Sequence, residues 1–460
     1  MAATFVKIPG DRTSEVGRTL AEPVPQALSM VDQFGLWGNL GVSLLGFTGA
    51  IFVLQPLGTA DLSLAAALTA VVLGTLVGTL PVALAAVQGA RTGAPAMVLL
   101  RGLFGARLSY LPTLINVVQL LGWGIFELVT ISTAAQTVVA HFVSASVPRW
   151  AYVLFAGVLT ALLTIHPLGA IRVLRRYAAI AVFIVMCYLL VQLLRHPLPA
   201  FGHGTWDGFW VATDTVVGVA ISFVPLAADY SRHSRSSRAA FTGALAGYSV
   251  TQVFCYVIGL LALVTVAHGD ASKIFGAFIA LPLGALGFAI LALRELDQSF
   301  ADVYSTAVSV QNLRPLWDRR LLAGLVAALT TAGALWLNIG DYENFLTLLG
   351  SVFVPMSAVL VVDFFVISRG RWDLSAGARS RWLMLVPWAL GFVMYQLINP
   401  GQLSWWTSAW TSFAGWIGFT VESWMSASIL SFVVAGVATL GFGWLARRFS
   451  GPAEASGEPS

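Results

Sequence analysis

The chain alternates between apolar stretches of about twenty residues and short polar connections, with no sustained period of 2 or 3.6. Runs of that length match the roughly 30 Å of hydrocarbon that a membrane helix must cross. The runs are continuous rather than alternating, so they predict helices and not the strands of a barrel. Twelve segments qualify: 33–55, 62–88, 111–140, 150–168, 177–194, 211–230, 240–267, 282–311, 321–338, 344–367, 382–398 and 425–446. The expected fold class is therefore an all-α integral membrane protein of about twelve transmembrane helices.

Composition agrees, with 58% hydrophobic and 10% charged residues, against about 25% charged in soluble domains. So few charges cannot cover a water-facing surface. Of the 25 lysines and arginines, 21 fall on one side of the twelve-span arrangement and three (Arg149, Arg195, Lys273) on the other, while Arg294 lies within a span. The positive-inside rule then places both termini in the cytoplasm of a multi-pass cell-membrane protein. The net charge of +4 reports this topology, and no nucleic-acid partner is implied. Residues 1–30 lack an apolar run with a small-residue cleavage site and read as a cytoplasmic tail. The expected domains are that tail, a transport core over 31–367, two further helices within 368–448, and a disordered end over 449–460. Cys187 and Cys255 sit in apolar spans as packing residues, and no spacing of His, Cys or carboxylates marks a metal site.

Span 1 contains Gly46-Phe47-Thr48-Gly49 and span 6 contains Ser222-Phe223-Val224-Pro225, both near mid-span. Each could unwind at membrane depth. Five spans separate them, and an odd offset inverts the second copy, which predicts a 5+5 inverted repeat with two C-terminal helices added. Broken helices expose N–H and C=O groups and helix-end partial charges where a polar solute can bind.

Ionisable residues within spans mark the site, because each is costly against lipid. Span 3 carries Gln119, Trp123 and Glu127 at i, i+4 and i+8, on one helical face. Span 8 carries Arg294, Glu295, Asp297, Gln298 and Asp302, with Gln298 and Asp302 one turn apart. A structural alternative is a salt-bridge network in which Arg294 pairs with Glu295, Asp297 or Glu127. A flat indole one turn from a buried carboxylate suits a planar heteroaromatic with N–H donors.

Four stretches now carry a resemblance: LWGNLGVSLLGFTG in span 1, GARTGAPAMVLLRGLFGARLSYLPTLINVVQLLGWGIFELVTIS through span 3, ISFVPLAADYSR in span 6, and SFADVYSTAVSVQNL in span 8. Their order and spacing over roughly residues 30 to 400 resemble the nucleobase–cation symporter family 1, which includes cytosine permeases, purine permeases and the hydantoin transporter. The resemblance implies the inverted-repeat fold of the bacterial leucine transporter, with substrate between aromatics of helices 3 and 6. It places those aromatics at Trp123 and Phe223, an amide-replacing carboxylate at Glu127, a helix-1 polar contact at Ser43, and helix-8 contacts at Gln298 and Asp302. A hydantoin-type site would put the helix-6 aromatic a turn earlier, where only Val219 and Ala220 stand. The family's sodium site maps to Asn39, Val42 and Leu293 carbonyls plus two hydroxyl residues, replaced here by Leu296 and Asp297. Asp297 could then bind Na⁺ or take up a proton.

The sequence thus predicts a symporter, not an enzyme, that needs no cofactor beyond a coupling ion, H⁺ before Na⁺. Its expected substrate is a small planar nucleobase such as cytosine or a related purine or aminopyrimidine. Hydantoin, allantoin or a thiamine-precursor pyrimidine are alternatives within the fold. A channel would show a ring of like carboxylates, and a membrane-embedded enzyme a nucleophile–base pair or phosphate loop; neither pattern occurs.

Overall fold

The computed structural model describes residues 7–9, 24–56, 59–143, 147–165, 169–337 and 342–449. Most of the expected N-terminal tail and everything beyond Phe449 lie outside the described residues. Lys7–Pro9 (β1) and Val24–Gln26 (β2) form a short parallel ladder, and the chain then enters span 1.

Within the described residues, each of the twelve expected segments is helical. Span 1 is divided into α1 (Met30–Gly41) and α2 (Leu44–Leu54), bent by 58°. Then come α3 (Leu64–Thr92), the short α4 (Ala96–Phe104), α5 (Tyr110–Phe142), α6 (Arg149–Ile165) and α7 (Gly169–Leu193). Span 6 is α8 (Phe209–Ile221) plus α9 (Val224–Ser231), and span 7 is α10 (Ser237–Thr265). A short α11 (Ile274–Ile279) precedes span 8, which is α12 (Gly284–Arg294) and α13 (Leu296–Leu313) meeting at Glu295. The remainder is α14 (Arg319–Ala334), α15 (Tyr342–Val362, ending in a π turn over Asp363–Ile367), α16 (Leu385–Ile398), α17 (Ser404–Ile417) and α18 (Ala427–Phe449). Among the described residues, six helical segments, Phe209–Ser231 among them, and two bent pairs, in span 1 and between Ala271–Ile279 and Gly284–Leu313, are long and apolar enough to cross a membrane, and three shorter apolar helices join them.

The packing separates two bundles. Helices α1, α2, α3, α8, α9 and α10 pack on one another, while α5, α6, α13 and α14 form a second group. These are spans 1, 2, 6 and 7 against 3, 4, 8 and 9, as the inverted repeat requires. Small residues make the first bundle close. A Cβ on Gly259 would lie 2.5 Å from the Phe47 carbonyl, and one on Gly78 would lie 2.7 Å from the Ala220 Cβ. Membrane helices gain most of their association from such close contact.

One expectation is corrected. Gly46 and Gly49 do not unwind span 1; they lie inside α2, and the break falls earlier, at Val42 and Ser43. Gly49 is small because a Cβ there would sit 2.9 Å from the Tyr256 hydroxyl, and one on Gly46 would sit 3.2 Å from the Cys255 Cβ. These glycines admit α10. Ser43 makes the break local: its extended backbone stops α1, and its Oγ accepts the Leu45 N–H at 3.0 Å as the N-cap of α2. In span 6 the break falls at Ser222–Phe223, as expected, where Pro225 supplies no N–H to continue the ladder.

Two features outside the core were not foreseen. Helix α17 has no buried residue and carries Trp405, Trp406, Trp410 and Trp416 without a single charge, a composition suited to the membrane–water interface. At the C-terminal end of span 6, Leu28 and His233 tie the entry to α1 against the loop after α9. Burial, helped by the charge of Arg232, pushes the His233 imidazole down to about 3, so it stays neutral beside the Pro25 carbonyl at 3.1 Å.

Helix α18 is fixed to the core by Asp214 of α8. Its carboxylate accepts from Ser426 Oγ (2.5 Å), Ala427 N (2.7 Å) and Ser428 N (3.1 Å), capping α18 from another helix. Asp214→Ala leaves these donors buried and unpaired and should cost about 3 kcal/mol. Thermal unfolding of the purified protein should show a clear drop in Tm; an unchanged Tm would mean that the cap carries no stability.

Candidate functional site

A cavity of about 510 Å³, counting the space at its mouth, lies between the two bundles. Both helix breaks open on it: Leu40, Gly41 and Ser43 from span 1, and Ser222 and Phe223 from span 6. Helix α5 contributes Trp123 and Glu127, and α13 contributes Gln298 and Asp302. Of the seven residues expected to bind substrate, the structure brings six together here: Ser43, Trp123, Glu127, Phe223, Gln298 and Asp302.

The aromatic walls are held by edge contacts. Trp123 meets Tyr342 (5.8 Å between centroids, 73°) and Phe345 (5.3 Å, 75°). Phe223 meets Trp37 (6.3 Å, 70°) and Tyr248 (5.0 Å, 59°). Perpendicular contacts of this kind fix ring orientation, so the walls are ordered before any ligand arrives. Val219 also lines the cavity, and no aromatic stands at its level on α8.

The seventh residue, Gln119, is a correction. It shares a helical face with Trp123 and Glu127 but does not line the cavity. Its Nε2 donates to the Ser222 carbonyl at 3.1 Å and to Asn116 Oδ1 at 2.9 Å, while Asn116 donates to Ser309 Oγ at 2.9 Å. Gln119 thus satisfies a carbonyl left without a helical partner at the span-6 break. In the structure it holds the broken helix.

The residues expected at the cation site lie around the span-1 break and the start of α13. Asp297, half-buried in the first turn of α13, is not among the cavity-lining residues. The Leu293 side chain is exposed, leaving only its carbonyl for such a role. The Asn39 carbonyl accepts the Val42 N–H at 3.3 Å, and the Val42 carbonyl accepts Gln298 Nε2 at 3.0 Å. The side chains that reach the span-1 break are Arg294, Glu295 and Gln298.

Several buried polar atoms around the cavity have no partner within the chain: Trp123 Nε1, Glu127 Oε2, Gln252 Oε1, and the hydroxyls of Tyr256 and Tyr342. All five residues line the cavity. Buried polar atoms are ordinarily satisfied, so this set defines what a ligand must offer. It must present donors to Glu127 and Gln252, and acceptors to Trp123 and the tyrosines. Gln252, Tyr256 and Tyr342 were not legible as site residues, because one amide or phenol in an apolar helix is common; only the fold brings them opposite Glu127.

The family comparison fits this geometry. Residues 30–381 match the family of permeases for cytosine/purines, uracil, thiamine and allantoin. The chain belongs to this family. Among curated relatives, it is 25% identical over 379 residues to a putative purine-cytosine permease of Bacillus subtilis, covering 75% of this chain and 78% of that one. A purine-cytosine permease of Saccharomyces cerevisiae is 24% identical over 374 residues, covering 74% and 68%. Among solved structures, Mhp1, a nucleobase–cation symport-1 family transporter in a closed conformation with bromovinylhydantoin bound, superposes with a TM-score of 0.71 at 17% identity, covering 92% of this chain and 93% of that one. Its inward-facing form gives 0.68 at 16% identity, covering 98% and 95%. The fold is therefore that of the inverted-repeat transporters, and this permease is a multi-pass membrane protein of a transporter family.

The division of labour is testable. Tyr256→Phe and Tyr342→Phe each remove one unpartnered hydroxyl and should weaken nucleobase binding by about two- to tenfold while leaving Tm unchanged. Gln119→Leu should do the reverse, lowering Tm by exposing the need of the Ser222 carbonyl with a smaller effect on affinity. Equilibrium binding and thermal unfolding of the same purified variants separate the two; equal effects on both readouts would contradict the assignment.

Proposed function

We propose that this permease is a secondary symporter that imports a small planar nucleobase, cytosine or a related purine or aminopyrimidine, across the cell membrane, with both termini cytoplasmic. The observation that carries the reading is the pairing of Trp123 and Phe223 with the unpartnered Oε2 of Glu127 in one cavity. The rings offer faces for stacking. Glu127 accepts from a ring N–H and an exocyclic amine, and Asp302 completes the polar edge. The tyrosine hydroxyls supply donors to a carbonyl or ring nitrogen. A base with donors on one edge and acceptors on another satisfies this set; a hydrocarbon or a simple ion does not. The names of the relatives support the same substrate class.

Proton coupling is favoured by charge counting. Glu127, Glu295 and Asp302 interact with one another in the membrane interior, and Arg294 is the one cation among them. Three carboxyl groups against one guanidinium leave an excess of negative charge that burial opposes. A proton taken up among these three carboxyl groups relieves it, and its release on the cytoplasmic side would commit the substrate. Spans 1, 2, 6 and 7 would rock against spans 3, 4, 8 and 9 around the cavity.

Uptake of radiolabelled nucleobases, with and without Na⁺ and at two values of external pH, tests the reading. Uptake should be saturable, faster at acid pH, and unchanged when Na⁺ is replaced by K⁺. Trp123→Ala should reduce affinity by about tenfold or more, given about 1–3 kcal/mol per stacked base, with membrane expression retained. Glu127→Gln should shift preference from amino-bearing bases towards those with a carbonyl at that edge, such as uracil. No uptake of any nucleobase, or normal affinity in Trp123→Ala, would overturn it.

A further inference from the structure

The span-1 break exposes polar groups that no helix satisfies, and a single stretch of span 8 meets them. Gln298 Nε2 donates to the Val42 carbonyl at 3.0 Å and also to the Leu40 carbonyl. Glu295 Oε1 accepts from Ser43 Oγ at 2.6 Å and from the Leu44 N–H, the first of α2, at 2.9 Å. Arg294 Nε donates to Asn39 Oδ1 at 3.4 Å, and its Nη1 stands 3.6 Å from Glu295 Oε2. The Arg294 and Glu295 side chains are 2% and 1% exposed. Both terminal nitrogens of Arg294 lack a hydrogen-bond partner, so its charge is held by placement and not by a saturated set of bonds.

We infer that Arg294 is a tethered cation that holds the junction of spans 1 and 8, with Glu295 as its tethered counter-anion, so that no diffusible metal cation is needed there. The residue types at this junction fit that role. A mobile cation would need the carbonyls at the end of α1, and Gln298 already occupies two of them. It would also approach a fixed guanidinium that repels it. The opening turn of α2, which in a broken helix attracts an anion, is closed by the Glu295 carboxylate, so a neutral base need bring no anionic group. The positive and negative ends of the break are thereby neutralised within the chain. The inference rests on the symporter reading for its meaning, but its first readout needs no substrate.

The test is binding of radiolabelled Na⁺ to the purified full-length protein, together with its Tm in NaCl, KCl and choline chloride. The wild type should bind no Na⁺ saturably, and its Tm should not distinguish the three salts. Arg294→Ala should lower cytosine affinity by about tenfold, as expected for losing a charged partner, and millimolar methylguanidinium should restore part of it where choline does not. If Arg294→Ala cannot be purified, Arg294→Lys decides, with cytosine affinity near wild type and the same indifference to Na⁺. Saturable Na⁺ binding by the wild type, wild-type affinity in Arg294→Ala, or a Na⁺ requirement in Arg294→Lys would each overturn the inference. Failure to bind cytosine in the wild type while Na⁺ binding is absent would instead indict the substrate reading.

Discussion

A helix interrupted inside a bilayer must find partners for the backbone groups it frees, and that requirement organises this protein. The cost of leaving an N–H or C=O unpaired in hydrocarbon is several kcal/mol. Span 1 meets it through Ser43, Glu295 and Gln298; span 6 meets it through Gln119 and Asn116. Ser43 apart, the partners come from the other bundle, spans 3 and 8. The contacts that satisfy the breaks are therefore the contacts along which the two bundles meet, and the cavity lies where they converge.

This arrangement explains why the polar residues of spans 3 and 8 divide into two kinds. Those whose amide nitrogens are aimed at backbone hold the breaks, as Gln119 and Gln298 do. Those left with unpartnered atoms, Trp123 and Glu127 with the tyrosines opposite, face the cavity. Glu295 links the two kinds, since it caps α2 and interacts with Glu127. On the proposed function, a charge change at Glu127 would thereby be felt at the span-1 break.

Much of the architecture was legible in the sequence because hydropathy blocks and the bias of basic residues are long-range averages that local packing does not disturb. Trp123 and Glu127 stood out because a carboxylate and an indole one turn apart in an apolar run have few structural excuses. Other features were hidden for identifiable reasons. Gly46 and Gly49 imitate a helix breaker, yet their purpose is the close approach of Tyr256 and Cys255, which depends on a helix two hundred residues away. Gln119 lies on the same face as Trp123, and only the position of the Ser222 carbonyl distinguishes holding from binding. Helix α17 escaped notice because its apolar residues are aromatic and interleaved with serine and threonine, a pattern that spans nothing.

The central claim is that the pre-ordered walls at Trp123 and Phe223 and the open carboxylate at Glu127 form one site for a planar base. A structure of the protein with cytosine bound tests it most directly. The account predicts the ring between Trp123 and Phe223, with a ring N–H and the exocyclic amine on Glu127 and no ion between Asn39 and Arg294. Cytosine lodged elsewhere, or turned with its carbonyl towards Glu127, would contradict it.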